Sequence, residues 1–234
     1  MKNFLATLAK RVVSPGERAA LRTLLAERGI ASAHQRGLRR IQSQSLRRPT
    51  KLNLGCGRFR KEGFLNIDVL PPADLTLDLR AGLPFEANCC ELVFAEHCFE
   101  HFDYPEPISH LFRECLRVLK PGALLQFSVP DTEWPLTNYG DGPDAPYFQT
   151  CQDRSWHPVN CTTRLEHINY HFRQGTEHRF AWDFETAQKA LTNAGFVDVR
   201  LRDYDPSLDS EHRRLGSLFV SAVKPARVER PSSA

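Results

Sequence analysis

Two glycines one residue apart end a short apolar run at 51–54, and this break constrains the fold more than any other stretch. A second apolar run, from Phe64 to Ile67, ends at Asp68 about ten positions later. Glycines let the main chain approach a ligand closely, and an acid at a strand end can accept hydrogen bonds from ribose hydroxyls. The pattern is typical of a parallel α/β sheet that binds a nucleoside-bearing cofactor. Taken alone, a plain tight turn explains Gly55 and Gly57 equally well.

The composition fits one α/β domain with additions. The chain has 234 residues, of which 41% are hydrophobic, and this is enough for a sizeable core. No run approaches the roughly 18 uninterrupted apolar residues that a membrane span needs. Seven cysteines without disulfide-like spacing, and an apolar centre too short for a secretion signal at 1–10, favour a reducing compartment. We therefore predict a cytoplasmic protein.

Positive charge is concentrated at the start of the chain. Residues 1–50 contain eleven Lys and Arg but only Glu17 and Glu27, which gives a net charge of +9 against +3 for the whole chain. Such a segment suits nucleic acid, anionic lipid or an acidic partner, and a solvated extension explains it too. We predict a basic, partly helical extension over residues 1–48.

Within this extension the apolar spacing predicts two helices. The first covers residues 1–13, where one apolar face could make weak contact with a membrane surface. The second runs from Glu17 to Arg28, and Gly29 is expected to end it. Residues 31–50 contain few large apolar side chains, so a linker or a loose helix is expected there.

From residue 49 to about 225, apolar runs with the spacing of strands and helices follow one another. The expected strands are 51–55, 64–68, 74–78, 91–96, 123–129, 196–202 and 217–224, and the expected helices are 105–119 and 183–194. Residues 132–180 are rich in Trp, Tyr, His, Asn and Pro and have no clear period, which predicts a lid or a substrate-facing insertion. Residues 226–234 are expected to form a disordered tail.

Five ordered motifs match a known family. They are Leu52-Asn53-Leu54-Gly55-Cys56-Gly57, Asn66-Ile67-Asp68, Asp78-Leu79-Arg80 with Leu83-Pro84-Phe85, Glu91 to His97, and Arg117-Val118-Leu119-Lys120-Pro121-Gly122. Over about 50–224 the chain resembles class I S-adenosylmethionine-dependent methyltransferases, in particular the methyltransferase type 11 group. The resemblance implies a Rossmann-like α/β fold. This is a three-layer α/β/α sandwich around a seven-stranded, mostly parallel sheet whose last strand is antiparallel.

The resemblance also implies S-adenosyl-L-methionine as the cofactor and assigns roles to residues. Gly55, Cys56 and Gly57 should pass beneath its methionine end, Asp68 should hold the ribose, and residues 95–97 should close the sulfonium side. Asp78 and Leu79 should border the adenine. The full cofactor-binding set is Asn53, Gly55, Cys56, Gly57, Asp68, Asp78, Leu79 and Glu96.

The sequence departs from the family between Gly57 and Asp68. The family usually has a full helix in this position, and the short spacing predicts little or no helix here. A nicotinamide cofactor fits less well, because Arg60 replaces the third glycine of Gly-x-Gly-x-x-Gly and the spacing is short.

Candidate catalytic residues follow the fourth expected strand. A hydroxyl acceptor needs a base, and His97 and His101 lie beside the expected position of the methyl group, with Glu100 placed to orient one of them. Stabilisation of the loop by these histidines is the competing interpretation. Asp131, after the fifth strand, and His178 are the predicted substrate contacts.

The insertion contains His167 and His171 at helical spacing, with Cys151 and Cys161 in the same segment. Zinc sites use such residues, but the Cys-x-x-Cys pair of a strong zinc motif is absent. A polar, aromatic lid explains the same composition, so we predict no metal site.

Together these features predict methyl transfer to an O or N acceptor on a small molecule. The resemblance suggests a sugar or polysaccharide precursor or a secondary metabolite. A binding or scaffold module without turnover remains an alternative. Another is a nucleic-acid or protein methyltransferase recruited by the basic segment, although Phe4 is the only aromatic residue in that segment. The sequence does not indicate the oligomeric state.

Overall fold

The computed structural model describes residues 14–43 and 46–226. The helix predicted over 1–13 and all but the first residue of the predicted tail lie outside the described residues. The strands are β1 (Lys51–Leu54), β2 (Leu65–Asp68), β3 (Leu75–Thr76), β4 (Cys90–Glu96), β5 (Leu119–Pro130), β6 (Val197–Leu201) and β7 (Ser217–Val223). The α-helices are α1 (Pro15–Ser43), α2 (Ile108–Val118), α3 (Glu133–Tyr139), α4 (Pro146–Asp153), α5 (Arg164–Arg173) and α6 (Phe184–Ala194).

All seven strands form one sheet in the order β3-β2-β1-β4-β5-β7-β6. Neighbouring strands from β3 to β5 are parallel, and β7 is antiparallel to both β5 and β6. Six strands therefore point in one direction and β7 points in the other. The predicted Rossmann-like α/β fold with an antiparallel last strand is confirmed.

The main core joins the sheet to helices α1, α2 and α6. Leu52 and Leu54 alternate with Asn53 along β1, so the two leucines enter the core while the amide points to the opposite face. In α2, apolar residues at helical spacing bury one continuous face against the strands. Because the strands are parallel, their carboxyl ends meet at one edge of the sheet, where open α/β sheets bind ligands.

A network of amide side chains takes the place of a helix between β1 and β2. Residues 55–64 contain turns and no helix, as the spacing predicts. The Asn53 amide donates to Asn66 Oδ1 (2.9 Å), which also accepts from Lys61 N (2.7 Å). The Asn66 amide donates in turn to Lys61 O and to Asp74 Oδ2. Both asparagines are buried, so these bonds satisfy polar groups that would otherwise be costly to bury.

Helix α1 extends much further than the sequence predicts. The expectation that Gly29 ends the helix is wrong, because α1 is continuous to Ser43, and residues 31–43 are helical rather than a linker. Its second half lies against β3, where Thr76 Oγ1 donates to Ala33 O (3.0 Å). Gly37 is buried at this contact. Contact with the sheet thus stabilises a stretch whose own apolar content is low.

Residues 132–180 form a compact unit with a small core of their own. Helices α3, α4 and α5 surround a cluster of buried side chains, namely Ala145, Tyr147, Phe148, Cys151 and Ile168. Thr163 and Glu166 form a capping box at the start of α5. Within the described ranges, no helix is long and apolar enough to cross a membrane.

Candidate active site

Two cavities adjoin each other at the carboxyl ends of the strands. The smaller, of about 220 Å³, lies over the turn after β1 and the end of β4. The larger, of about 480 Å³, lies between the end of β4 and the insertion. They share three lining residues, Arg58, Phe59 and Arg213. Together they make one candidate site with a turn-lined half and an insertion-lined half.

The glycine turn after β1 is fixed to the end of β2. Gly57 N donates to Asp68 Oδ2 (2.8 Å), and Leu70 N donates to Asp68 Oδ1 (3.0 Å). Gly55 and Gly57 have φ angles of +63° and +51°, in the left-handed region that favours glycine. The aspartate therefore holds the turn, and each of its oxygens retains capacity for a further donor.

Asn53, Cys56 and Glu96, all in the predicted cofactor set, line the smaller cavity together with the two glycines. Burial raises the pKa of the Cys56 thiol to about 11, so it stays protonated near neutral pH. The buried Glu96 carboxylate accepts hydrogen bonds from the backbone N (2.7 Å) and Oγ (2.6 Å) of Ser210. Glu96 thereby anchors the segment that closes this cavity.

Asp78 and Leu79 line neither of these cavities. The Asp78 carboxylate accepts from the backbone N and the guanidinium of Arg80, which also pairs with Glu27 of α1. The hydrogen bonds and charge of Arg80 leave the pKa of Asp78 below its usual value despite partial burial. Leu79 is buried in the main core. Their role at the adenine stays a prediction.

His97 follows β4 in a strained backbone conformation, with φ of +50°. Its backbone N–H donates to Ser128 O, and its ring Nε2 lies 2.8 Å from Ser217 Oγ. Nδ1 faces Glu100 Oε1 at 3.6 Å. Burial, and to a smaller extent the charge of Arg213, lowers the pKa of His97 well below its usual range. The ring is therefore neutral at neutral pH. Strained residues of this kind often occur at functional sites.

Glu100 is the buried acid beneath the larger cavity. The residue is 1% exposed, and within the part of the chain that the structure describes neither carboxylate oxygen has a hydrogen-bond partner. Burial raises the pKa of Glu100 to about 8. The rings of His101 and His178 are in edge-to-face contact, with centroids 5.2 Å apart, and both residues line the same cavity. Burial, followed by the nearby His101, lowers the pKa of His178.

Asp131 is turned away from the larger cavity. Its carboxylate accepts from Glu133 N, and the residue lines a neighbouring cavity with Ser217. Its backbone oxygen accepts from His171 Nε2 (3.0 Å), so Asp131 fixes a histidine that does line the larger cavity. A direct substrate contact by Asp131 stays a prediction.

Besides the group Glu100, His101 and His178, another group of residues of the types that bind metals lies in the insertion. Cys151 Sγ lies 3.8 Å from His157 Nε2, and the Nδ1 atoms of His157 and His167 are 2.8 Å apart. Burial, followed by the neighbouring His167, lowers the pKa of His157 to about 4. One ring donates to the other, so these two histidines satisfy each other without an ion.

Several residues that line the site were not found by the sequence reasoning. Arg213 Nη1 donates to Glu96 O (2.7 Å), and its guanidinium lies over the Phe59 ring. The His212 ring lies 4.7 Å from the same phenylalanine. Phe59 belongs to the turns between β1 and β2, and His212 and Arg213 belong to the segment before β7. Neither segment carries a motif. The run His212-Arg213-Arg214 before the last expected strand was the only signal.

Comparison with known proteins gives one family match and several distant structural likenesses. Residues 66–127 match the family described as "Methyltransferase domain", and no curated protein matches the chain. An S-adenosylmethionine-dependent methyltransferase from Mesorhizobium loti is 18% identical over 74% of this chain and 90% of its own, with a TM-score of 0.43. One from Archaeoglobus fulgidus is 16% identical over 79% and 91%, with a TM-score of 0.44.

A third likeness is to phosphoethanolamine N-methyltransferase 2 from Haemonchus contortus, in complex with phosphomonomethylethanolamine and S-adenosylhomocysteine. It is 14% identical over 75% of this chain, with a TM-score of 0.47, and this chain spans about half of it (48%). Because all three TM-scores are low, the assignment depends on the family match, which contains the end of β2, all of β4 and α2, and much of β5. Residues 66–127 thus match a methyltransferase family within a sheet that has the Rossmann-like strand order described above.

Proposed function

We propose that this chain transfers a methyl group from S-adenosylmethionine to an oxygen or nitrogen atom of a small molecule. The observation that carries the proposal is the pair of adjoining cavities at the carboxyl edge of the sheet. One is lined by the glycine turn and the other by histidines and the insertion. Methyl transfer needs two ligands side by side, and this arrangement offers each its own half.

The residues around the smaller cavity suit the chemistry of the cofactor. Asp68 does not line this cavity itself, but its carboxylate accepts from Gly57, which does, and it suits ribose hydroxyls, which are hydrogen-bond donors. The guanidinium of Arg213 suits the carboxylate of the methionine part. When bound, the cofactor supplies an electrophilic methyl group on a positively charged sulfur. The chain's own residues then have to orient the acceptor and exclude water.

His97 is our candidate for the base that removes the acceptor's proton. It stands at the end of β4 between the two halves of the site, and its ring lines the larger cavity. In-line displacement of a methyl group gains most from positioning, and a hydroxyl acceptor must also lose a proton. Ser217, 2.8 Å from Nε2, holds the ring in place.

The larger cavity supports a small molecule as the acceptor. Its volume of about 480 Å³ falls within the usual range for small-ligand sites, roughly 300–1,000 Å³. Its lining is polar and aromatic, with Tyr170, Trp156 and Gln174 beside the histidines, which suits a sugar or a polar metabolite. The cytoplasmic location and the weak membrane contact of residues 1–13 stay predictions.

Calorimetry tests the cofactor half of the proposal. The wild-type chain should bind S-adenosylmethionine or S-adenosylhomocysteine with a micromolar dissociation constant. Asp68→Ala should weaken binding at least about tenfold, because a hydrogen bond to a charged group contributes about 1.5–3 kcal/mol. Glu91→Gln, an exposed acid paired with Lys120, is the matched control and should bind like the wild type. A wild-type chain that binds neither compound would contradict the proposal.

A second experiment tests turnover. Methyl-labelled cofactor is incubated with small-molecule, RNA and protein fractions of a cell extract, and label should appear in the small-molecule fraction. His97→Gln should reduce its rate about 10²–10⁴-fold, the usual contribution of a positioned base, while affinity for S-adenosylhomocysteine is retained. Label in RNA or protein supports recruitment by the basic segment instead. No label in any fraction supports a binding module.

A further inference from the structure

The buried carboxylate of Glu100 lacks the partner that such a group requires. Both oxygens are without hydrogen bonds among the described residues, although the side chain is almost fully buried. Burying a carboxylate without a cation or donors costs several kcal/mol. Protonation alone does not resolve this, because the nearest ring nitrogens, His97 Nδ1 at 3.6 Å and His101 Nε2 at 4.0 Å from Oε1, lie beyond hydrogen-bond distance. The geometry therefore leaves room for a positively charged ligand at Glu100.

Two histidines beside Glu100 each hold Nδ1 against a carbonyl oxygen. His101 Nδ1 lies 3.0 Å from Glu177 O, and His178 Nδ1 lies 3.2 Å from His171 O. A carbonyl oxygen only accepts, so in both rings the proton is on Nδ1 and the lone pair is on Nε2. Metal-binding histidines typically donate their second nitrogen to a carbonyl or carboxylate in this way. Both rings are thus in the tautomer that binds a metal through Nε2.

The three side chains are close enough to share one ion. One ligand atom from each of Glu100, His101 and His178 lies within 4.8 Å of the others, and His101 Nε2 is 4.0 Å from Glu100 Oε1. Metal–ligand bonds of about 2.0–2.2 Å bring such atoms closer together. The side chain of His101 is 41% exposed, so packing does not enclose it on all sides.

We propose that Glu100, His101 and His178 bind a divalent first-row transition ion, such as Zn²⁺, in the wall of the larger cavity. Two histidines and one carboxylate on one side of an ion leave its remaining positions open, as in catalytic rather than structural sites. These positions face the acceptor half of the site. There the ion binds an acceptor oxygen and lowers the pKa of its hydroxyl, a role that rests on the proposed function. The proposal departs from the sequence analysis, which predicts no metal.

The second group of candidate ligands is a weaker metal site. In His157, Nε2 faces Cys151 and Nδ1 faces His167. The rings of His157 and His167 already form a hydrogen bond with each other. No buried carboxylate is left without a partner there. This cluster therefore supplies the matched control for the experiment.

The test uses the full chain after removal of metals with a chelator. Zn²⁺ is titrated in competition with a chromophoric chelator, and Co²⁺ binding is followed by its visible absorption. The wild type should bind one equivalent. Glu100→Gln, a neutral substitution of the same shape, and His178→Gln should each raise the dissociation constant at least about tenfold, since even outer-shell partners change it 10–100-fold. His167→Gln should bind like the wild type, and thermal unfolding establishes that each variant is folded.

Three outcomes overturn the proposal: no ion bound by the wild type, unchanged affinity in both Glu100→Gln and His178→Gln, or loss of binding in His167→Gln. The last would assign the ion to the Cys151 cluster. Calorimetry with S-adenosylhomocysteine is performed on the same samples. A chain that binds the ion but not the cofactor contradicts the proposed function and leaves the metal site standing.

Discussion

Gly55 and Gly57 share a left-handed backbone conformation but have different surroundings. A Cβ atom on Gly55 would lie 2.4 Å from Cys98 Sγ and 2.6 Å from Cys98 Cβ, whereas one on Gly57 would meet nothing within 4 Å. Gly55 is therefore needed for packing as well as for its φ angle. The space beside Gly57 is the cavity that the cofactor is proposed to fill, so this glycine is needed for close approach of the ligand.

These surroundings predict that alanine at Gly55 affects mainly stability and alanine at Gly57 mainly ligand affinity. Gly55→Ala should reduce the free energy of unfolding by about 2–4 kcal/mol, through strain at positive φ and overpacking against Cys98. Gly57→Ala should cost only about 1–2 kcal/mol in strain but should lower the affinity for S-adenosylhomocysteine at least about tenfold. Urea denaturation and calorimetry measure the two effects. Equal losses of stability in the two variants would contradict this assignment.

Cys56, between Gly55 and Gly57, has a thiol whose reactivity is lowered by its place in the turn. In the turn, Cys56 is buried and its pKa is raised to about 11, so a reactive thiolate does not form near neutral pH. Its small size and its place in the turn, rather than reactivity, account for its presence there. The free thiols at Cys89 and Cys90 are buried too.

At the scale of elements, helix α1 depends on one close approach to the sheet. A Cβ atom on Gly37 would lie 2.3 Å from the backbone oxygen of Thr76, but one on Gly29 would meet nothing within 4 Å. Gly37→Ala should therefore separate α1 from β3 and lower the free energy of unfolding by about 1–3 kcal/mol. Gly29→Ala should raise it by about 0.5–1 kcal/mol, the usual gain in a helix interior. Denaturation curves for both variants check the pair.

A destabilised Gly29→Ala variant would contradict a continuous helix. The same pair of glycines explains why the sequence misleads at this point. Glycine commonly ends helices, and the stretch after Gly29 has few large apolar residues to suggest that it continues. What holds the second half of α1 is contact with β3, including the bonds from Thr76 to Ala33 and from Arg40 to Asp74 O. Such contacts depend on tertiary structure and have no local pattern.

Elements of the sheet were far more predictable than their connections. Each strand is a short apolar run ended by a turn residue, and the short spacing from Gly57 to Asp68 correctly predicted the missing helix. The amides of Asn53 and Asn66 that replace it have no periodicity, so the sequence offered no reason to pair them. Likewise, His97 and His101 were found because they follow a strand. Arg213 and Ser217 come from distant segments, and only the folded chain brings them to His97.

At the scale of the whole molecule, residues 14–43 and 46–226 form two cores of unequal size. The main core joins the sheet to α1, α2 and α6, while the insertion has only five buried apolar residues of its own. Its helices are short, and an isolated helix of this length is marginal in water. The two tryptophans of the insertion, Trp134 and Trp156, pack around the small core, and Trp182 lies in the main one. The insertion is therefore expected to loosen before the sheet.

Lowering the pH should destabilise the insertion before the sheet, because His157 lies beside the small core. Its pKa is about 4 in the folded chain, because of burial and of the adjacent His167, against about 6.5 when unfolded. The groups that face its ring are Tyr147, Cys151, His167, Tyr170 and His171. A histidine with a lowered folded pKa resists protonation, so its stabilising effect is complete above pH 6.5 and is lost as the pH falls towards 4.

Between pH 6.5 and 4 we expect the free energy of unfolding of the insertion to fall by about 1–2 kcal/mol. This value is reduced for the partial exposure of His157. A Trp182→Phe variant confines tryptophan fluorescence to the insertion, and far-ultraviolet circular dichroism follows the whole chain. In buffer containing a chelator, fluorescence should change at a higher pH than the dichroism. Adding His157→Gln should move the fluorescence transition to lower pH, because glutamine does not titrate. Coincident transitions would show that the two cores unfold as one, and no shift on removing His157 would show that another group controls the transition.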